Sequence, residues 1–280
     1  MALRLISSEE VIGAVSRELV LINTRVPEDL SKALKELQDA SSDAGRLIMD
    51  DIMKNAEIAA SRGVPMCQDT GMVIFFANIG TEVSLAEPLP VILDRAVAET
   101  YVREGYRPSV VVDPINRINS GNNTPAIVHI EQMAGENMII DIMVKGFGSE
   151  NMSRLQMMKP ADGYERVADF VVDTVARGGG NPCPPIIVGV GVGGTFEQAP
   201  LLAKRALLRP LGSRNTDEVW AEREAALLKA INMLNIGPGG LGGGPTALAV
   251  HIIAAPTHIA GLPVAVNISC HASRHGRVSW

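Results

Sequence analysis

The sequence predicts an α+β fold, in which an N-terminal helical layer precedes a mixed, largely antiparallel β-sheet with helices. In the first sixty residues, apolar side chains recur at helical spacing. Farther along, short apolar runs alternate with helical stretches and are bounded by turns rich in glycine and proline. The chain has 280 residues, 46% of them hydrophobic, which is enough for a sizeable core. We therefore expect a single domain over 1–280, with a helical layer at 1–62 and an α/β body at 63–280.

Composition excludes some classes of partner. The formal net charge is −6, and no run of Lys and Arg stands out, so a nucleic-acid partner is not expected. The first residues contain no apolar signal core, which predicts a cytosolic protein with reduced thiols. The cysteine count of three also fits a disulfide framework poorly.

A long stretch without charged residues, 230–273, raises the alternative of a membrane span. Glycine and proline clusters at 237–245, together with Pro256 and Pro263, interrupt it. His251 and His258 interrupt it further. We interpret the stretch as buried strands and tight turns, and predict no membrane segment.

The helical layer has clear start and stop signals. Ser7 and Glu10 form a capping-box pattern that opens a helix reaching about Ile22. A second helix is predicted from near Pro27, which suits a first helical turn. A third is predicted over 43–60 and ends at Arg62-Gly63.

The remaining elements follow in order. We predict a strand at 72–79, a helix at 91–101, and two strands at 125–133 and 138–144 joined as a hairpin by Ala134–Asn137. A glycine loop over 145–149 comes next. The other predicted elements are helices at 164–176, 196–208 and 216–234 and strands at 186–188, 247–253 and 264–268.

The stretch Pro65–Gly71 is the centre of the functional prediction. It places the Cys67 thiol, the Gln68 amide and the Asp69 carboxylate side by side, before a glycine that permits a sharp turn. Because it joins a predicted helix to a predicted strand, its side chains can be held in a cleft by rigid elements.

Two further cysteines follow. Cys183 lies 116 residues after Cys67, and Cys270 lies 87 residues after Cys183. These separations match neither a zinc-finger nor a ferredoxin pattern. On spacing alone, three buried structural cysteines are the simpler interpretation. However, prolines flank Cys183, and residues 271–275 surround Cys270 with polar and cationic groups that favour a metal-binding thiolate. These contexts indicate a metal centre with an open coordination position, such as an iron–sulfur cube with three protein ligands.

Each candidate also has a structural interpretation. Asp69 before Thr70-Gly71 is typical of an Asx-turn. Asp-Thr-Gly also occurs in aspartic proteases, but the required second copy is missing. His258 could be a core histidine, and Arg107 a surface arginine.

A rival class rests on Gly189, Gly191 and Gly194, which fit GxGxxG after an apolar strand and before a predicted helix. This pattern favours a dinucleotide-binding protein. The acidic residue expected about twenty residues farther on is absent, because residues 211–215 contain none.

Several motifs resemble the class I, iron–sulfur-dependent fumarate hydratases, specifically the alpha subunit of the two-subunit form. L(+)-tartrate dehydratase is a sister family with much of the same pattern. The resemblance covers nearly the whole chain, and the motifs that carry it are Cys67-Gln68-Asp69-Thr70-Gly71, the 145–151 loop, Asn181–Pro185, Pro256–Gly261 and Ser269-Cys270-His271.

The resemblance implies a [4Fe-4S] cluster on three ligands, Cys67, Cys183 and Cys270. It also implies that Gln68 and Arg107 hold substrate carboxylates. Asp69 and His258 would be catalytic, with Asp69 moving the proton and His258 tuning it. A loop containing Gly146 and Gly148 would contact substrate, although Phe147 departs from the family pattern.

The resemblance further implies a separate beta subunit, in an α2β2 assembly, that completes the active site. Three stretches, 149–152, 179–181 and 257–263, look more like fumarases than tartrate dehydratases. The expected reaction is therefore the reversible hydration of fumarate to L-malate, with L(+)-tartrate dehydration as the alternative.

Overall fold

The computed structural model describes residues 3–280 and confirms an α+β fold with mixed sheets. In chain order its elements are β1 (Arg4–Ile6), α1 (Ser8–Thr24), α2 (Glu28–Asp39), α3 (Asp43–Arg62), β2 (Met72–Gly80), β3 (Val83–Leu85), α4 (Leu89–Arg103), β4 (Ile127–Met133), β5 (Met138–Lys145), α5 (Phe147–Glu150), β6 (Arg154–Met158), α6 (Gly163–Gly178), β7 (Ile186–Gly194), α7 (Gln198–Ala206), α8 (Glu218–Asn232), β8 (Ala247–Thr257), β9 (Leu262–Ser269) and β10 (Arg274–Ser279).

Contacts between Cα atoms divide the chain into two compact units. The first contains the described residues up to Val26 together with Ala56–Gly146 and Arg274–Trp280. The second contains Pro27–Asn55 and Phe147–Ser273. The single domain expected over 1–280 stays a prediction.

The predicted start of the first helix is confirmed in detail. The backbone N–H of Glu10 donates to Ser7 Oγ over 3.2 Å, and the N–H of Ser7 donates to Glu10 Oε2 over 2.9 Å. This reciprocal pair satisfies two N–H groups that a helix start would otherwise leave without partners.

The first unit is built on a four-stranded sheet with the order β10-β5-β2-β4. Strand β2 runs antiparallel to β5 and parallel to β4. Helices α1 and α4 contribute to its core, where Leu19, Phe75, Leu93 and Ile140 are fully buried. This core gives the loop before β2 a rigid support.

The predicted hairpin between β4 and β5 is wrong, although both strands exist. Strand β2 lies between them in the sheet. The connecting turn bonds to the end of β2 instead, since the N–H of Gly80 donates to Asn137 O and that of Glu82 to Gly135 O. Only a residue without a Cβ lets the turn come this close to the end of β2, because a Cβ on Gly80 would lie 2.1 Å from Gly135 O.

The second unit is built on a sheet with the order β6-β9-β7-β8. Strand β7 is buried along its whole length, between β9 and β8. The predicted helices and strands after residue 163 are all found, with bounds extended or shortened by a few residues.

The glycines of the GxGxxG pattern lie inside β7 rather than in a turn before a helix. A Cβ on Gly189 would lie 2.1 Å from Ala203 O, and one on Gly191 the same distance from Ala199 O. These glycines therefore let helix α7 pack closely against the sheet. This placement argues against the dinucleotide-binding alternative, which needs the glycines in a turn between a strand end and a helix N-terminus.

The charge-free stretch forms turns and the strands β8 and β9, as predicted. Glu224 covers the open edge of β8, since its Oε1 accepts the N–H of Ile252 over 2.7 Å. Asn215 Nδ2 donates to Ile252 O over 3.0 Å. None of the helices between residues 3 and 280 has the length and apolar character needed to cross a bilayer.

Besides the hairpin, one loop and four short strands differ from expectation. The glycine loop predicted at 145–149 is instead the end of β5 followed by the helical turn α5, with Gly146 between them. Four short strands were not predicted, namely β1, β3, β6 and β10. Strand β10 contains Arg274, His275, Gly276 and Arg277, so it lacks the apolar alternation by which strands are recognised.

Candidate functional site

The Cys67 loop connects α3 to β2 and is fixed at both ends. At its start, the N–H of Met66 donates to Asn23 O over 2.9 Å. At its end, Gly71 has a φ of +66°, and a Cβ there would lie 2.7 Å from Lys145 O. Only glycine fits both this backbone conformation and this approach to β5.

Three donors converge on one oxygen of the Asp69 carboxylate. Its Oδ1 accepts the N–H of Gly71 over 3.0 Å, Arg107 Nη2 over 3.1 Å and Ser109 Oγ over 3.2 Å. The first contact is an Asx-turn, so the structural interpretation of this residue holds. The Asp69 carboxylate also forms an ion pair with Arg107, a contact that an Asx-turn does not need.

Gln68 and Arg107 are exposed around this carboxylate. Gln68 Oε1 lies 3.5 Å from the Cys67 thiol, which donates to it. The Arg107 side chain is 57% exposed, and its backbone carbonyl accepts a 2.6 Å bond from Thr70 Oγ1. Arg107 can therefore contact a solvent-borne anion while its backbone stays fixed beside Asp69.

Gly146 belongs to the same unit as Asp69 and lies against it. A Cβ on Gly146 would be 3.1 Å from Asp69 Oδ2 and 3.5 Å from Nη2 of the buried Arg274. Gly148 lies in α5, in the second unit, where a Cβ would be 3.6 Å from Asn181 O. The two predicted glycines thus contact different segments of the chain.

Cys183 and Cys270 lie at one end of the second unit's sheet. Cys183 precedes β7 and Cys270 follows β9, and these strand ends pair through Ile187 and Ser269. His271 links the two segments, because its Nδ1–H donates to the Cys183 carbonyl over 2.9 Å. Burial holds the pKa of His271 below its usual value, and this hydrogen bond opposes the shift only in part.

Cys183 adopts a φ of +55° and is exposed. The glycine-rich turn after α8 supports its segment, since the N–H of Gly239 donates to Pro184 O over 2.9 Å. A Cβ on Gly240 would lie only 2.6 Å from the Cα of Gly180. Close backbone packing therefore shapes the turn that presents this thiol.

His258 lies at the opposite end of the same sheet. It follows β8 and precedes β9, is exposed, and its Nδ1 accepts the N–H of Ala260 over 3.1 Å. Strand β7, with nine residues, separates that end from Cys183. At ~3.3 Å per residue this is about 30 Å. Within the second unit, the structure does not bring His258 to Cys183 and Cys270.

The cysteines are divided between the units, with Cys67 in the first and Cys183 and Cys270 in the second. None of the three is joined in a disulfide. As far as residues 3–280 show, neither unit alone contains three His, Cys, Asp or Glu side chains grouped to hold a metal ion. The chemistry of the donor set nevertheless fits an iron–sulfur cluster, because such clusters are held by cysteine thiolates.

Sequence reasoning missed three polar residues near Asp69, namely Ser109, Asn123 and Arg274. Ser109 donates to the carboxylate, and Asn123 is fully buried and bonds to both Gly71 and Ser109. Arg274 is buried and donates to Asn23 Oδ1 over 3.1 Å. The buried state of Asn123 and Arg274 has no sequence signal, because polar residues beside turns are usually exposed.

The fold and these residues define an α+β chain with three cysteine thiols and a carboxylate, paired with an arginine, two residues after the first thiol. The family model for fumarate hydratase (Fumerase) matches residues 12–279. The chain belongs to this family of hydro-lyases.

Curated relatives match along nearly the whole chain. A Methanocaldococcus jannaschii protein named "Putative L(+)-tartrate dehydratase subunit alpha" is 42% identical, covering 95% of this chain and 94% of that protein. Proteins of Escherichia coli strain UTI89 and Shigella boydii serotype 4, both named "L(+)-tartrate dehydratase subunit alpha", are 35% identical over 94% of this chain and 88% of each relative.

Proposed function

We propose that this chain is the alpha subunit of a two-subunit hydro-lyase that dehydrates a hydroxylated four-carbon dicarboxylate, with L(+)-tartrate as the first candidate substrate. The names of the relatives at 42% and 35% identity support the substrate. The observation that carries the reaction class is the Asp69 carboxylate, held by three donors two residues after Cys67.

Dehydration removes a proton from one carbon and a hydroxide from its neighbour. Asp69 is assigned the proton transfer, because a positioned carboxylate is a typical general acid or base. Arg107 and Gln68 are assigned to a substrate carboxylate, since both are exposed beside Asp69. A cation on that carboxylate stabilises the negative charge that develops as the C–H proton leaves.

Cys67, Cys183 and Cys270 are the residues that would hold a [4Fe-4S] cluster. The chemistry that such a cluster supplies when bound is Lewis acidity at its open iron. Gly146 and Gly148 are assigned to substrate contact through their backbones. His258 remains a predicted site residue, but no step is assigned to it because of its distance from Cys183 and Cys270 within its unit.

A beta subunit is part of the proposal. The relatives are named "subunit alpha", which supports a partner chain. A dicarboxylate needs a cation at each end, and Arg107 serves one. The partner would supply the second, in an α2β2 assembly. Because the three thiols must stay reduced, we place the enzyme in the cytosol.

Fumarate hydration to L-malate is the second candidate. The family model is described as fumarate hydratase, and three stretches of the sequence resemble fumarases. L-Tartrate carries one hydroxyl more than L-malate. A site that hydrogen-bonds this group rejects the substrate lacking it by up to roughly 10⁴–10⁵-fold.

The test is a paired assay of the anaerobically prepared αβ complex on L(+)-tartrate and on L-malate. We expect kcat/KM for tartrate to exceed that for malate at least tenfold. The reverse preference would establish the second candidate and leave the reaction class standing. Dehydration of neither substrate by a complex with full iron content would overturn the class.

A further inference from the structure

A fully buried asparagine connects the two segments that carry the proposed active-site groups of the first unit. Asn123 has no solvent exposure and a φ of +64°. Its Oδ1 accepts the N–H of Ser109 over 2.7 Å and that of Val110 over 3.2 Å. Its Nδ2 donates to the carbonyl of Gly71 over 3.0 Å.

These contacts use both ends of the amide. The acceptor end fixes the segment that follows Arg107, and the donor end fixes the loop that contains Asp69. A second contact joins the same segments, because Thr70 Oγ1 donates to Arg107 O. Tyr101 in turn donates its phenol to Thr70 O over 2.5 Å.

Arg107 and Asp69 are themselves joined by a side-chain pair on the exposed face of this arrangement. An exposed arginine has many rotamers, so that pair alone cannot fix the distance between the two segments. The buried hydrogen bonds of Asn123 can fix this distance, because breaking them would leave buried polar groups without partners, which is costly.

We propose that Asn123 is a positioning residue, which sets the geometry of Asp69 and Arg107 by tying Gly71 to Ser109 and Val110. This proposal rests on the proposed function, in which both residues act on the substrate. Asn123 does not itself contact the substrate, because it is fully buried.

The first variant for the test is Asn123→Gly in the complete αβ holoenzyme. Glycine adopts a positive φ without strain, so the backbone is kept while the amide is removed. We expect kcat to fall and KM to rise, for a loss in kcat/KM of about 10²-fold, the size expected of a 1 Å misplacement. Loss of folded enzyme would lower the apparent kcat and leave KM unchanged.

The matched control is Asn122→Gly. Asn122 Oδ1 accepts two hydrogen bonds from Thr124, over 3.2 Å from its N–H and 2.8 Å from its Oγ1. Asn122 is half-buried, and its side chain bonds within its own turn rather than to the Asp69 or Arg107 segment. We therefore expect kcat and KM of this variant to stay within about twofold of wild type.

Asn123→Asp tests the donor end alone. The aspartate keeps an acceptor for Ser109 and Val110, but it places an oxygen against the Gly71 carbonyl. We expect the same rise in KM and fall in kcat. If neither Asn123 variant yields folded protein, the residue acts in folding, and the positioning proposal is overturned.

The decisive comparison repeats Asn123→Gly in an Asp69→Asn background. If Asn123 acts through Asp69, its loss should lower kcat far less there than in wild type, because the two effects are not additive. Equal losses in both backgrounds would overturn the role of Asn123 alone. Full activity of Asp69→Asn by itself would overturn the proposed role of Asp69, and this proposal with it.

Discussion

Arg107 Nη2 lies 3.1 Å from Asp69 Oδ1, while the backbone carbonyl of Arg107 accepts a hydrogen bond from Thr70, the residue after Asp69. The side chains of Asp69 and Arg107 therefore form an ion pair, while the hydroxyl of the neighbouring Thr70 holds the backbone of Arg107. The proposed chemistry requires this combination, since Arg107 must meet the substrate without losing its position.

Asp69→Asn should separate the turn from the chemistry. Asparagine can still accept the N–H of Gly71, so the loop should fold and the iron content should stay unchanged. The turnover number should fall by roughly 10²–10⁴, as expected for a proton-transfer group. Anaerobic steady-state assays and iron analysis on the same preparation measure both quantities.

The matched control for that variant is Asp113→Asn. Asp113 Oδ1 accepts the N–H groups of Ile115 and Asn116, so it forms a similar turn in a different loop of the chain. This control should keep its turnover number. A normal turnover number in Asp69→Asn would make Asp69 a turn residue only.

Arg107→Met should weaken substrate binding more than folding. The side chain is 57% exposed, so its surface ion pair contributes little to stability. We expect KM to rise at least about tenfold, because truncating a charged group's partner typically costs 1.4 kcal/mol or more. Arg103→Met is the control, since Arg103 is exposed and pairs with Glu104. Equal kinetic changes in the two variants would contradict the assignment.

Gly189→Ala tests the packing account of the GxGxxG pattern. The added Cβ would lie 2.1 Å from Ala203 O, in a backbone that cannot move freely. We expect a loss of about 3 kcal/mol in the free energy of unfolding. Gly261→Ala is the control, because its nearest heavy atom would be 3.8 Å away. Urea unfolding measures both, and stabilisation of the wild-type chain by added NAD would contradict the packing account.

His251 should make the second unit sensitive to acid. Burial and the nearby charge of Arg209 lower its pKa to about 4, although Glu224 and Asp29 oppose this shift. Its Nδ1–H donates to Ala206 O over 3.2 Å. The unfolded chain binds the proton near pH 6.5, so stability is full above that pH and falls as the pH drops toward 4.

The expected loss across this window is about 3 kcal/mol. Urea unfolding at several pH values should therefore show a steeper dependence in wild type than in His251→Asn, which keeps a donor but does not titrate. Identical slopes in the two proteins would contradict the buried, neutral state of His251.

Local signals predicted much of the fold, because they act within a few residues. The Ser7–Glu10 capping box, for example, sits where the sequence places it. Strand pairing depends on distant residues, so the sequence could not show that β2 lies between β4 and β5. From sequence alone, the glycines of β7 also indicate a possible dinucleotide site, because the same spacing occurs where a phosphate approaches the backbone. Here they allow helix α7 to pack closely against the strand.

The candidate site shows the same division. Cys67, Gln68 and Asp69 are neighbours in sequence, so their proximity could be predicted. Ser109 and Asn123 reach Asp69 and Gly71 from 40 and 52 residues away, which no local pattern indicates. The position of His258, at the far end of the sheet from Cys183, depends likewise on how β8 and β9 pair with β7.

The most direct test of the account is the iron and sulfide content of the anaerobically prepared αβ complex, in wild type and in three variants, Cys67→Ser, Cys183→Ser and Cys270→Ser. The account predicts iron–sulfur absorbance in wild type and the loss of most of it in each variant, with the chains still folded and paired. Stoichiometric zinc in the wild-type complex, or full iron content in Cys183→Ser, would contradict it.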